Sequence, residues 1–313
     1  MSTHHLVYRS YGGENLKNRP DFYTKALTLA SFVHAASKLQ DADIVFVNNG
    51  PVPSDRLALM EAYGRVVQID EGPVGLLDSY RFSLGLPDRE GWSDDDVVSF
   101  NEDDYLFHPD AFVALGEATL GLSQVSYFAL SGESPLDDSP AARLKFRLPR
   151  DWQPQPPQIV GKRTWFNLGS TTSTFSARVG ALRADMSIFL QCTRPFKRRY
   201  LDHETCLLYQ GVVPYRGQQI LVGLPGELQP TLRGVARTVF LVPFRVALNV
   251  RARRQLEHHV LYAPTTGLAA HLECGLVGAD QDWLAVADDV ADWAGSIGFG
   301  DVAARIRSRL VAS

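Results

Sequence analysis

The chain alternates two hydrophobic periods over its first half. Leu6-Val7-Tyr8 predicts a short strand. From Phe22 to Leu39, apolar residues at Phe22, Leu27, Leu29, Ala30, Phe32, Val33 and Ala36 predict a helix. Asp43 to Asn48 and Val66 to Ile69 are short, β-branched and bounded by turn residues, as strands are. Ser54 is placed to cap a helix over Asp55–Tyr63 that Gly64 closes, and Gly75 to Leu86 predicts another helix. Asp96 to Phe100 predicts a strand. Pro109 then opens a helix to about Thr119, and Gln124 to Leu130 alternates like a strand. Strand–helix alternation of this kind predicts βαβ units: an α/β protein with a mostly parallel central sheet flanked by helices.

Residues 131–162 break the rhythm with Pro135, Pro140, Pro149, Pro154, Pro156 and Pro157, predicting a long irregular loop. Order returns from Trp165, with a Ser/Thr-rich strand over Ser170–Ala177, a helix over Arg178–Leu190 and a short helix over His203–Tyr209 ending at Gly211. Gly234 to Arg254 is apolar and arginine-rich, and Pro243 is expected to interrupt any single helix there. Either a cationic surface attracted to anionic lipid or a packing helix with solvated arginines fits that segment, and the packing helix is favoured. Helices near Asp282–Ala294 and Asp301–Leu310 are expected to end the chain, which shows no repeat.

Composition narrows the function. The 313 residues carry a net charge of −4, which gives no reason to expect nucleic-acid binding. No run of about 18 apolar residues exists to span a membrane. Met1-Ser2-Thr3-His4-His5 has neither a basic n-region nor an apolar h-region, so no signal peptide is expected. Cys192, Cys206 and Cys274 form no paired spacing, which points to reduced thiols in a cytoplasmic protein.

The chemistry concentrates in SFNEDDYLFHPDAF, residues 99–112. Glu102, Asp103 and Asp104 stand where a buried strand ends and a second apolar segment begins. Ligands of α/β sheets gather at the carboxyl ends of strands. Three adjacent carboxylates repel one another unless a cation or donors offset them. Mg²⁺ and Mn²⁺ accept oxygen ligands, often one or two carboxylates together with substrate phosphates. The upstream acids Asp94-Asp95-Asp96 read instead as a solvated turn.

With this triplet following the fourth predicted strand, the chain resembles the GT-A-fold glycosyltransferases, whose signature is Asp-x-Asp or a Glu-Asp-Asp variant. The resemblance covers roughly residues 5–215. It implies a GT-A-like, Rossmann-like catalytic domain over residues 1–220, with residues 221–313 a mostly helical extension packed on it. It implies Asp104 as the ligand of Mn²⁺ or Mg²⁺, with Glu102 and Asp103 facing the ribose or donor sugar of a nucleoside-diphosphate sugar. The implied activity is transfer of a sugar, of the hexosyltransferase type, to a saccharide or lipid-linked acceptor, with at most peripheral membrane contact.

Other residues fit the same reading. Arg9, after the first strand, faces either the base or a phosphate, or makes a surface ion pair. Gly12-Gly13 beside it would let the backbone come close. Asn48-Asn49-Gly50 ends the second strand, as part of the site or merely as a turn. Gly72-Pro73-Val74-Gly75 opens the helix bearing Ser79 and Arg81, which reach the nucleotide or lie on the outer face. In inverting members an acid near "YLDHETCLLYQG" deprotonates the acceptor hydroxyl. Asp202 and Glu204 are the candidates, Asp202 slightly favoured although it also suits a helix N-cap. Some members add a late histidine to the metal, for which His258, His259 and His271 stand late enough. A nucleotidyltransferase of similar fold and a noncatalytic sugar-nucleotide-binding module are the alternatives.

Overall fold

The computed structural model describes residues 2–70, 72–131, 147–149, 152–194, 200–224 and 228–311. Most of the proline-rich stretch after 131 and the basic loop Lys197-Arg198-Arg199 lie outside the described residues.

The predicted βαβ rhythm is present. Strands β1 (His4–Tyr11), β2 (Ala42–Asn49), β3 (Arg65–Gln68) and β4 (Val97–Glu102) run parallel in the order β3-β2-β1-β4. Helices α1 (Lys25–Ser37), α2 (Ser54–Tyr63), α3 (Leu76–Leu84) and α4 (Leu86–Arg89) connect them. Ser54 is the first residue of α2 and makes no side-chain cap; Pro53 stands at the cap position. After β4 come β5 (Tyr105–Phe107), α5 (Ala111–Gly121), β6 (Tyr127–Phe128), β7 (Gln158–Val160), β8 (Arg163–Asn167), β9 (Phe175–Arg178) and α6 (Val179–Cys192). The end of the expected loop is thus strand β7, paired antiparallel with β8. Then follow α7 (Asp202–Tyr209), α8 (Gln219–Val222), α9 (Leu232–Arg254), β10 (Leu261–Pro264), β11 (Ala269–His271), α10 (Trp283–Ser296) and α11 (Gly300–Leu310).

The full sheet runs β3-β2-β1-β4-β9-β6-β10-β8-β7, and only β9 and β8 oppose the common direction. This is the α/β class expected, with a mostly parallel sheet and helices on both faces. A second, two-stranded sheet pairs β5 with β11. The segment after residue 220 is therefore more than a helical extension. It supplies β10 inside the main sheet and β11 against the strand that follows the acid triplet.

Alternation along the strands builds the core. Leu6 and Tyr8 of β1 join one apolar layer, and Val7 joins the layer on the opposite face. Every residue of α1 from Lys25 to Ala36 is buried, because α2, α5, α10 and α11 enclose it. Thr24 caps α1 by accepting the Leu27 N–H at 2.9 Å.

Pro243 does not interrupt α9, which is one continuous 23-residue helix. Pro243 is on the exposed side, and the buried Arg245 guanidinium donates to the carbonyl of Thr238, at 3.3 Å, in the turn before it. Among the described residues no helix is long and apolar enough to cross a membrane.

A buried polar knot ties α6 to the end of α9. Asp185, fully buried, accepts from Tyr127 Oη at 2.8 Å and Gln255 Nε2 at 3.0 Å, and pairs with His259 Nδ1 at 2.7 Å. The Asp185 bond raises the His259 pKa above its usual value despite partial burial. A raised histidine pKa stabilises the fold fully below the unfolded value of about 6.5 and loses that stabilisation as pH climbs through the folded value. The melting temperature of the wild type is therefore expected to fall, relative to a His259→Gln variant, as pH rises from about 6 through neutrality. Parallel pH profiles for the two proteins would refute this. Asp185→Ala, which takes the acceptor from Gln255 and His259 and leaves Tyr127 Oη the Ala181 carbonyl at 3.3 Å, should cost about 3 kcal/mol in urea denaturation.

Candidate active site

Strand β4 delivers its last residue, Glu102, to the carboxyl edge of the sheet, and Asp103 and Asp104 turn the chain into β5. Register sets who meets whom. Arg9 of β1 is directly paired with Glu102 in the ladder, and Tyr105 of β5 with His271 of β11.

Each acid meets its own cation. Arg9 forms a short ion pair with Glu102, Lys25 Nζ lies 2.6 Å from Asp103 Oδ2, and Arg19 lies 2.8 Å from Asp104 Oδ2. Lys25 stands at the first turn of α1, and its ammonium also donates to the Tyr11 carbonyl at 2.8 Å. The Tyr11 N–H donates to Asp103 Oδ2 at 2.6 Å. His271 Nε2 lies 3.2 Å from Asp104 Oδ2, and its ring stacks on Tyr105 at 4.9 Å. Ser173 Oγ and Tyr200 Oη donate to Glu102. Much of the charge that three carboxylates bring to a strand end is thus answered by three protein cations.

The electrostatics follow from burial and pairing. Burial raises the Glu102 pKa, and Arg9 only partly offsets it, with Asp104 adding to the rise. Burial also opposes ionisation of Asp104, but His271 and Arg19 outweigh it and hold the carboxyl below its usual range. His271 is raised: burial works against its charge, and the Asp104 carboxylate more than compensates. Arg9 is raised likewise, since Glu102 overcomes the cost of burial.

Arg9, Ser79, Glu102, Asp103 and Asp104 line one cavity of about 420 Å³, together with Tyr11, Arg19 and Lys25. That volume suits a small-molecule ligand. A larger hollow of about 580 Å³ lies between α6 and α9, but it gathers no strand ends and only one acid, Glu257. The smaller cavity is the candidate site because its polar groups converge.

The two later acids part company. Asp202, the first residue of α7 rather than its cap, lines a narrow slot with Tyr80 and Thr172. Tyr80 leads from that slot toward the acids, lying 5.6 Å beneath the Arg9 guanidinium and stacking on Tyr200 at 4.3 Å. Glu204 is buried on α7 and accepts from Tyr215 Oη, away from both spaces. Ser79 is buried at the cavity wall, whereas Arg81 turns outward to Thr193 Oγ1 at 2.9 Å. Of the late histidines, His271 reaches the acids. His259 is committed to Asp185, and His258 bonds the Gln255 carbonyl at 3.2 Å.

Two small motifs prove to be joints. The Asn49 side chain donates to the Val74 carbonyl at 3.0 Å and accepts the Val74 N–H at 2.7 Å, pinning the loop that opens α3. A Cβ on Gly12 would sit 1.6 Å from the Pro51 carbonyl oxygen, so its smallness serves chain packing.

Arg19, Lys25 and Tyr200 escaped the sequence reading. A signal for two of them existed: Arg9, Lys17, Arg19 and Lys25 crowd into seventeen residues that begin near the end of the first strand. Three acids in search of charge pointed to such a cluster as well as to a metal.

Among the described residues no group of three or more His, Cys, Asp or Glu side chains forms a complete metal cage. A divalent ion bound largely through substrate phosphates needs only one or two protein ligands. Asp104 Oδ1 is buried without a hydrogen-bond partner among the described residues, while Oδ2 carries both Arg19 and His271. An orphaned carboxylate oxygen beside an imidazole fits such an ion.

Neither a family model nor a curated protein matches the chain. Among solved structures, glucosyl-3-phosphoglycerate synthase from Mycobacterium tuberculosis, in complex with Mn²⁺, UDP and phosphoglyceric acid, aligns at 15% identity and TM-score 0.38. The alignment covers 80% of this chain and 79% of that one. The galactosyltransferase LgtC, in complex with donor and acceptor sugar analogues, aligns at 14% identity and TM-score 0.37, covering 65% and 69%. A Desulfovibrio desulfuricans G20 protein described as a nucleotide-diphospho-sugar transferase aligns at 13% identity and TM-score 0.30; the alignment covers 41% of this chain and 58% of that protein's length. At these scores the likenesses assign no chemistry to this chain.

Proposed function

We propose that this protein is a metal-dependent glycosyltransferase of the hexosyltransferase type. It moves a sugar from a nucleoside-diphosphate sugar to a hydroxyl of a saccharide or lipid-linked acceptor. The observation that carries the reading is Asp104, just past the end of β4: it lines a cavity with Arg9, Arg19 and Lys25, its Oδ2 meets His271, and its buried Oδ1 has no hydrogen-bond partner among the described residues.

Asp104 and His271 would hold Mn²⁺ or Mg²⁺, which when bound would stabilise charge developing on the leaving diphosphate. Arg9, Arg19 and Lys25 give the cavity fixed positive groups for the same phosphates, each kept in place by its acid. Tyr11, 48% exposed at the cavity, offers a ring face to the nucleobase. Asp103 and Glu102 remain the groups facing the ribose or donor sugar. In transfer, the bond from the sugar's anomeric carbon to the phosphate oxygen breaks, and one to the acceptor oxygen forms. Asp202 would take the acceptor's proton in an inverting reaction, a reading supported by Glu204 being committed to Tyr215. The unpaired cysteines are compatible with a cytoplasmic setting.

A screen of UDP-, GDP-, dTDP- and CDP-sugars, with and without Mn²⁺, tests the reading. One nucleotide class should raise the melting temperature by several degrees only when metal is present, because a ligand of the native state stabilises it. Release of nucleoside diphosphate should accompany the shift, and Asp202→Asn should slow release while leaving the shift intact. Pyrophosphate release from a nucleoside triphosphate would instead identify a nucleotidyltransferase. Metal-dependent binding with no turnover under any acceptor would identify a binding module.

A further inference from the structure

Helix α9 is built inside out. Its buried residues are Gly234, Thr238, Leu241, Arg245, Leu248, Asn249 and Ala252, a stripe rich in small and polar side chains. Its outer side carries Leu232 at 93% exposure, Val239 at 64% and Phe240 at 75%, with Val235, Val246 and Val250 also exposed. At about 100° per residue, those outer apolar positions and Pro243 fall within an arc of roughly 140°, opposite the buried stripe. A surface helix of a globular protein ordinarily shows the reverse.

The charge is equally one-sided. The helix holds six arginines and no acid, in a chain whose net charge is −4. Arg233, Arg237, Arg253 and Arg254 are exposed at or beside the apolar arc. Arg245 alone is drawn inward, onto the Ile220, Leu221 and Thr238 carbonyls.

We propose that the outer face of α9 docks on a lipid bilayer surface that carries anionic headgroups. An apolar arc flanked by arginines, on a helix some 35 Å long, matches a segment lying in the plane of an interface. It does not span, since no described helix can. The apolar arc enters the headgroup boundary and the guanidinium groups meet lipid phosphates. A second copy of this chain is a poor occupant. A two-fold pairing of this face would set arginines against arginines with no acid on the helix to relieve them.

Co-sedimentation with vesicles of phosphatidylcholine alone, or with added phosphatidylglycerol, tests the proposal on the full chain. The protein should pellet with the anionic vesicles and be released by salt. Val239→Ser with Phe240→Ser should weaken that binding about tenfold or more, from lost apolar contact. Arg233→Gln and Arg253→Gln should each weaken it about fivefold on anionic vesicles and leave neutral vesicles unaffected. All four positions are exposed, so the variants should melt with the wild type and keep its nucleotide response, whatever the fate of the transferase reading. Absence of the wild type from anionic pellets would overturn the proposal. So would a dimer, seen by light scattering, that Phe240→Ser dissolves without any vesicle binding in the wild type.

Discussion

Asp104→Ala should remove the metal-dependent part of the nucleotide-induced melting shift and lower transfer by about three orders of magnitude. That loss corresponds to roughly 4 kcal/mol of transition-state stabilisation, the scale on which a bound metal acts at a leaving diphosphate. The reason lies in one carboxylate with two different oxygens. Oδ2 is used by Arg19 and His271, so it serves the fold. Oδ1 is buried and has no hydrogen-bond partner among the described residues, so it is the atom we propose for the metal. Alanine removes both. Arg19 keeps its bond to the Leu272 carbonyl at 2.8 Å, and the ligand-free variant should still melt cooperatively, about 1–2 kcal/mol less stable. His271→Ala should move activity in the same direction by a smaller factor. Titration of Mn²⁺ against a fixed nucleotide reads the effect. A variant whose metal-dependent shift equals that of the wild type would remove Asp104 from the metal and the mechanism with it.

The second large effect concerns stability. Arg9→Met should destabilise the protein by about 3–5 kcal/mol, because it leaves the Glu102 carboxylate beneath the cavity floor without its cation. The two groups are paired across adjacent parallel strands, with side-chain exposures of 10% and 22%. Burial already disfavours the charged form of Glu102, so the loss of Arg9 drives it further toward the neutral acid. Glu102→Gln in the Arg9→Met background removes the stranded charge and should restore part of the loss, with a coupling energy of about 2 kcal/mol in a double-mutant cycle. Urea denaturation of the four proteins measures it. Additive single effects would mean that Arg9 and Glu102 do not depend on each other. Donor binding should stay weak even in the stabilised double variant, since Arg9 lines the cavity.

Both predictions concern pairs that no linear reading connects. Asp103 and Lys25 lie 78 residues apart, Asp104 and Arg19 lie 85, and Asp104 and His271 lie 167. What the triplet announced by itself was a need for positive charge at a strand end. Whether metal, arginine or lysine supplies it depends on which loop passes overhead. Glu204 illustrates the same limit. As one of two acids in a helical turn it stood only slightly behind Asp202, until packing of α7 on α9 turned it to Tyr215. Pro243 shows the limit from the other side. A proline in a helix frees the carbonyl four residues earlier, here that of Val239, and both Pro243 and Val239 lie on the exposed side of α9, where water can meet that group.

The sequence by itself determined the first four strands, their connecting helices, the α/β class and the location of the acids, because each is written in local periodicity within a dozen residues. Tertiary structure alone decided the threading of β10 and β11 back into the sheets, the pairing of each acid with its cation and the exposure of α9's apolar face. Those outcomes depend on contacts between segments far apart in the chain, and apolar periodicity records that a face is sticky without recording what will cover it.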